Sequence, residues 1–166
     1  MQGVSQDSLQ VLYLFTEDSS DPTLVKDVSG VGTSLDLRVA DLDATAWIAG
    51  GGLAINAQTI VQSTSPATKL IEACQATDEI TIEAWVKPAN TTQAGPARIV
   101  TLSRNPSQRN FTLAQNSDRY DTRLRTTATS DNGLPSLSTP ADSLTAKLSH
   151  VVYTRNQSGA AKFYID

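Results

Sequence analysis

Between Ile80 and Lys87 the chain alternates strictly. Ile80, Ile82, Ala84 and Val86 fall on one side and Thr81, Glu83, Trp85 and Lys87 on the other, the period of two that a half-buried strand requires. Pro88 ends the run. Residues 35–39 (LDLRV) alternate in the same way, and the apolar run at 9–15 (LQVLYLF) predicts a buried strand. Further strands are expected at 97–103, 109–115 and 119–127. A hairpin is expected from strands at 149–154 and 161–165 around the turn Asn156-Gln157-Ser158-Gly159. Acids, serines and Pro22 make 17–30 a turn region, and Ser, Pro and Gly make 130–141 a loop. The glycine triplet 50–52 breaks the chain before another apolar stretch at 53–56. One short helix is expected near residues 66–75. Ser65 caps it, Pro66 fits its first turn, and Leu70, Ile71 and Cys74 sit at helical spacing. Residues 1–8 read as a polar leader. Many short strands split by turns predict an all-β sandwich or barrel from residue 9 to 166.

Composition agrees with this pattern. The chain has 20 Thr and 17 Ser among 166 residues, and such a chain forms strands more readily than helices. No apolar run approaches 18 residues, so no membrane insertion is expected, and Met1 is not followed by a signal-peptide pattern. One cysteine and one histidine exclude an internal disulfide framework, a cysteine-based zinc site and a histidine-rich metal site. Charge is uneven, with 12 acids against 3 bases in residues 1–83 and 5 acids against 10 bases in 84–166. Six of the eight arginines lie between Arg98 and Arg125. Distant segments interleave in a β-sandwich, so this asymmetry need not mark a surface. A pI near 4.9 argues against nucleic acid as a partner.

Few residues carry obvious chemistry. Glu79, Thr81 and Glu83 share a strand face. A retaining glycosidase needs two carboxyl groups about 5–5.5 Å apart, and a threonine stands between these two. No motif supplies His150 with a positioned partner and a nucleophile, and it reads as a structural imidazole. Trp85 and Trp47 read as core packing, and Cys74 as a small buried apolar residue. The glycine triplet lacks the helix and lysine of a phosphate loop. Asp18, Asp21, Asp27, Asp41 and Asp43 could offer oxygens to calcium, but show no EF-hand spacing. Asn90, Asn110 and Asn156 head glycosylation sequons, which so Thr- and Ser-rich a chain produces by chance. The clearest candidate ligand surface is Arg119, Asp121, Arg123 and Arg125. These alternate with Tyr120, Thr122 and Leu124, the better core set. A charged row with about 6.6–7 Å between successive side chains suits sugar hydroxyls or carboxylates.

The chain resembles the laminin G-like modules of the concanavalin A-like lectin/glucanase superfamily, in the form common in bacterial secreted proteins. The segments that carry the resemblance are Leu12–Phe15 with the turn Asp27-Val28-Ser29-Gly30; Gly52-Leu53-Ala54-Ile55; Thr81 to Pro88 (TIEAWVKP); and His150 to Arg155 (HVVYTR) with Lys162 to Asp166 (KFYID). The resemblance implies a jelly-roll β-sandwich of two antiparallel sheets. It also implies a non-catalytic binding or adhesion module, lectin-like, with a glycan or extracellular protein as ligand. Family members continue past the strand that ends at Asp166. The chain is therefore expected to be part of a larger extracellular or envelope protein with neighbouring domains. Some relatives bind calcium at rim loops, and no ligand residues are assigned to it here. Two other roles stay open at this point: a glycosidase-related domain using Glu79 and Glu83, and a structural spacer.

Overall fold

The strands that alternation predicts are formed, and each is short. The computed structural model describes residues 8–166, so the expected leader at 1–8 lies, Ser8 apart, outside the described residues. In chain order the strands are β1 (Leu24–Val25), β2 (Leu37–Val39), β3 (Thr45–Trp47), β4 (Leu53–Ile55) and β5 (Val61–Ser63). Helix α1 (Thr68–Thr77) follows. Then come β6 (Ile80–Val86), β7 (Ala97–Ser103), β8 (Arg109–Asn116), β9 (Arg119–Leu124), β10 (Leu137–Ser138), β11 (Ser149–Arg155) and β12 (Ala161–Ile165). The chain forms two compact units, Met1–Ala76 and Thr77–Asp166.

In the first unit, β1, β2 and β5 form an antiparallel sheet in the order β1-β2-β5, and β3 pairs with β4. Gly50, Gly51 and Gly52 make the β3–β4 turn at φ of 87°, 110° and 128°, values that side-chain-bearing residues avoid. The triplet thus turns a hairpin. The run at 9–15 is not a strand. The Leu12 N–H donates to the Asp27 carboxylate at 3.2 Å, Phe15 sits at φ 49°, and Leu14 is exposed. A segment whose donor is taken by a side chain, and whose end turns left-handed, cannot extend a ladder. The turn region 17–30 in turn contains β1, paired with β2.

Asp27 organises this unit. Its Oδ1 accepts from the Leu12 and Ser29 N–H groups, at 3.2 and 3.0 Å. Its Oδ2 accepts from the Leu35 N–H at 3.1 Å and from Lys69 Nζ at 2.6 Å. The side chain is 1% exposed. Burial alone would raise its pKa, but Lys69 and the N–H donors of Leu35 and Ser29 outweigh burial and hold the carboxyl well below the usual range. Lys69 belongs to α1, which starts at Thr68 rather than at Pro66. The Ala67 carbonyl accepts the Ile71 N–H at 3.2 Å, and Pro66 precedes the helix. Cys74 is half-buried rather than buried, and that burial raises its thiol pKa.

The second unit holds two sheets, β10-β9-β8-β7 and β12-β11-β6, both antiparallel throughout. Ile82, Leu113, Tyr120, Leu144, Val151 and Tyr153 form its core. Ile80, Ala84, Val86, Phe111, Leu124 and Phe163 pack against that core. Each sheet thus turns one apolar face to a shared interior, the arrangement of a sandwich. The expected core face of β6 is the observed one, with Ile82 at 6% exposure. The loop at 130–141 contains β10, which pairs with β9 through Leu137↔Thr122 and Ser138↔Asp121.

Candidate ligand-binding surface

The outward face of the β12-β11-β6 sheet carries side chains that sequence alone left scattered. Antiparallel register places His150 on β11 opposite Trp85 on β6. His150 and Asp166 exchange two backbone hydrogen bonds of 3.3 Å, continuing the β11–β12 ladder. Trp85, His150 and Asp166 therefore form one cross-strand row. Glu83, Val152 and Tyr164 form the next, about 6.6–7 Å further along the strands.

Within this patch the rings and charges are held in place. The Trp85 and His150 rings stack with centroids 4.6 Å apart and an interplanar angle of 13°. His150 Nε2 lies 2.8 Å from Glu83 Oε1, and Nδ1 lies 3.4 Å from Asp166 Oδ1. An ionised carboxylate can only accept, so the Glu83 contact is a hydrogen bond when the ring carries a proton on Nε2. Trp85 remains 66% exposed and Tyr164 53% exposed. Trp85 was expected in the core. It lies instead on the side of β6 that faces away from it. Trp47 is half-buried, and its Nε1–H donates to the Pro22 carbonyl at 3.0 Å. His150 was read as a structural imidazole, with no motif to supply a catalytic partner. It stands on the central strand between two carboxylates.

The row expected on β9 is arranged differently from a free charged ladder. Tyr120 and Thr122 are buried toward the core. On the opposite side Asp121 is 2% exposed. Its Oδ1 accepts from Ser138 Oγ at 2.7 Å, and its Oδ2 lies 3.4 Å from Arg123 Nε. Arg119 pairs with Asp118 at 3.6 Å. Arg125 lies beyond the end of β9 and pairs with Asp131 at 3.3 Å. Asp121 therefore turns neither to solvent nor to an external hydroxyl, and the four residues do not form one open row.

The other candidates are dispersed. Glu79 Oε1 accepts from the Gln157 N–H at 3.2 Å, whereas Glu83 is held by His150. Four residues of strand separate their Cα atoms by about 13 Å. Asp18 pairs with Lys26 and Asp21 with Arg38, and Asp27 pairs with Lys69. Among the described residues no three carboxylates, histidines or cysteines gather in a metal-holding group.

A laminin G-type family model, described as the concanavalin A-like lectin/glucanases superfamily, matches residues 56–166. The chain belongs to this superfamily. The laminin G-type match spans both sheets of the second unit, and so includes β6, β11 and β12 with all of the Trp85 patch. Leu12–Phe15, Asp27–Gly30 and Gly52–Ile55 lie before it. No curated protein and no solved structure matches the chain.

The patch was hidden for a physical reason. The alternation on β6 already puts Glu83 and Trp85 together on the non-core face. The position of His150 opposite them depends on pairing between strands 67 residues apart, counted from Glu83 to His150, and no local signal encodes that register.

Proposed function

We propose that the chain is a non-catalytic, lectin-like binding module of an extracellular or envelope protein, and that its ligand is a neutral, hydroxyl-rich glycan lying across Trp85. The exposed, braced indole of Trp85 carries this reading. A tryptophan left 66% exposed on a regular strand offers a rigid apolar face, and His150 stacked behind it limits its rotamers. Sugar rings present apolar C–H faces edged with hydroxyls. Glu83 and Asp166 stand where they can accept from such hydroxyls, and Tyr164 widens the platform in the next row. Three strands span about 9.5 Å, the width of one to two pyranose rings. The two carboxylates disfavour an acidic ligand at this face. The separate engagement of Glu79 and Glu83, with Thr81 between them, supports a role without hydrolysis.

A glycan array with the wild type and Trp85→Ala tests this. The indole is mostly exposed, so the substitution should lower stability by no more than the stacking contact, about 0.5–1.5 kcal/mol. A buried aromatic anchor at a binding site contributes about 2 kcal/mol or more, so binding of any hit should fall about thirtyfold. Hits retained in full by a folded Trp85→Ala protein, or the absence of any hit with the wild type, would contradict the reading.

A further inference from the structure

Ion pairs account for only some of the arginines concentrated between residues 98 and 125. Arg119, Arg123 and Arg125 each meet an aspartate. Arg98 and Arg109 meet no carboxylate within ion-pair distance among the described residues. Arg109 is only 3% exposed. Its Nη1 donates to Thr112 Oγ1 at 3.3 Å and its Nη2 to the Pro106 carbonyl, while its buried Nε has no partner.

Register brings these side chains to the non-core face of the β10-β9-β8-β7 sheet. Thr112 on β8 lies between Thr101 on β7 and Arg123 on β9, and Ala114 lies between Arg98 and Asp121. Register shifts between Arg98 and Val100 and between Leu102 and Ser103, the latter pairing Ser103 with Arg109, return Arg98 and Arg109 to the same side as Thr101, as bulges do. Arg98, Arg109 and Arg123 thus gather around Asp121, whose two oxygens are already held by Ser138 and Arg123. Burial first, and then repulsion from Arg123 and Arg98, lowers the Arg109 pKa, and Asp121 offsets this only in part. Three guanidinium groups facing one committed carboxylate leave an excess of positive charge. A buried cation without a partner is costly, and a guanidinium fork holds paired oxygens in two parallel hydrogen bonds. Arg98 is exposed and Arg123 half-buried, so the cluster opens to solvent.

We propose that the non-core face of the four-stranded sheet binds an oxyanion, a carboxylate or sulfate group, through Arg98, Arg109 and Arg123. This site is independent of the Trp85 surface: it lies on the other sheet and selects an anion, where the Trp85 surface takes a neutral ligand. The probes are inorganic sulfate and glucuronate, titrated at constant ionic strength against chloride, with glucose as the neutral control. Thermal unfolding is the readout. A saturating rise in Tm is expected with sulfate, glucuronate or both, and none with glucose. Saturation by sulfate alone assigns a sulfate ester as the natural group, and saturation by glucuronate alone assigns a carboxylate. Arg98→Gln, at an exposed position, should raise the half-saturating concentration at least tenfold, and the Arg98→Gln/Arg123→Gln pair should abolish saturation. Sulfate also stabilises proteins generally by exclusion from their surface, without saturating. A response that stays linear and is the same in wild type and Arg98→Gln, or no response to either anion, overturns the proposal.

Discussion

Replacing Asp27 by asparagine perturbs the buried carboxylate that holds Leu12, Ser29, Leu35 and Lys69 in the first unit. The asparagine carbonyl can still accept from the Leu12 and Ser29 N–H groups, which meet Oδ1 at 3.2 and 3.0 Å. Its NH2 would replace Oδ2 and face two donors, the Leu35 N–H and the Lys69 ammonium. Loss of the charge-assisted bond costs about 1.5–3 kcal/mol, and a buried N–H left unpaired costs about 1–3 kcal/mol. Breaking a buried ion pair costs about 3–5 kcal/mol by the direct comparison. Lys69 keeps the Val31 carbonyl at 2.7 Å and is 14% exposed, which points to the lower part of that range, about 3–4 kcal/mol. Urea denaturation followed by Trp47 fluorescence in a Trp85→Phe background reports on the first unit. The pH dependence has a fixed sign. The folded-state pKa of Asp27 lies below the unfolded value of about 3.9. Its contribution is therefore complete above that pH and is lost as pH falls toward the folded pKa. The gap between wild type and Asp27→Asn should narrow by up to about 1.4 kcal/mol for each pH unit in that window. A gap below about 1 kcal/mol at pH 7, or one unchanged between pH 5 and pH 2.5, would refute the reasoning.

Two further perturbations address the second unit. Ile82→Ala empties a core position at 6% exposure and should cost about 2–5 kcal/mol, whereas Thr81→Ala, one residue away on the exposed face, should stay within about 0.5 kcal/mol. Chemical denaturation of both variants checks this, and equal losses would mean the strand faces are reversed. Gly133→Ala would set a Cβ 2.8 Å from Leu124 N and 2.9 Å from the Arg123 carbonyl carbon, at φ +71°. Backbone cannot yield as a flexible side chain does, so a loss of about 2–4 kcal/mol is expected, and a wild-type Tm would contradict it.

Local pattern revealed the second unit better than the first. The strands β6, β8, β9, β11 and β12 alternate over five or more residues against one core, and their sequence periods report it. The first unit has strands of two or three residues, too short for a period. One carboxylate ties it together, fixing Leu12, Ser29, Leu35 and Lys69 at once. That is why the apolar run at 9–15 suggested a strand that is not there. The candidate site was half legible. Alternation gave the face of Trp85, although the indole itself was read as core packing. The β9 arginines showed their alternation but not their aspartate partners. Arg98 and Arg109 joined Arg123 only through cross-strand register, which depends on turn lengths and bulges rather than on local composition.

The indole N–H resonances offer the most direct test of the Trp85 surface. The chain contains two tryptophans, so a 15N-correlated spectrum shows two such peaks. Trp47 Nε1–H is bonded to the Pro22 carbonyl at 3.0 Å and serves as an internal control. Titration with a neutral oligosaccharide found on the array should shift the Trp85 peak in a saturable way, together with the backbone amides of Glu83, His150 and Tyr164, and leave the Trp47 peak in place. Saturable shifts confined to residues elsewhere, with the Trp85 peak unmoved, would contradict the account.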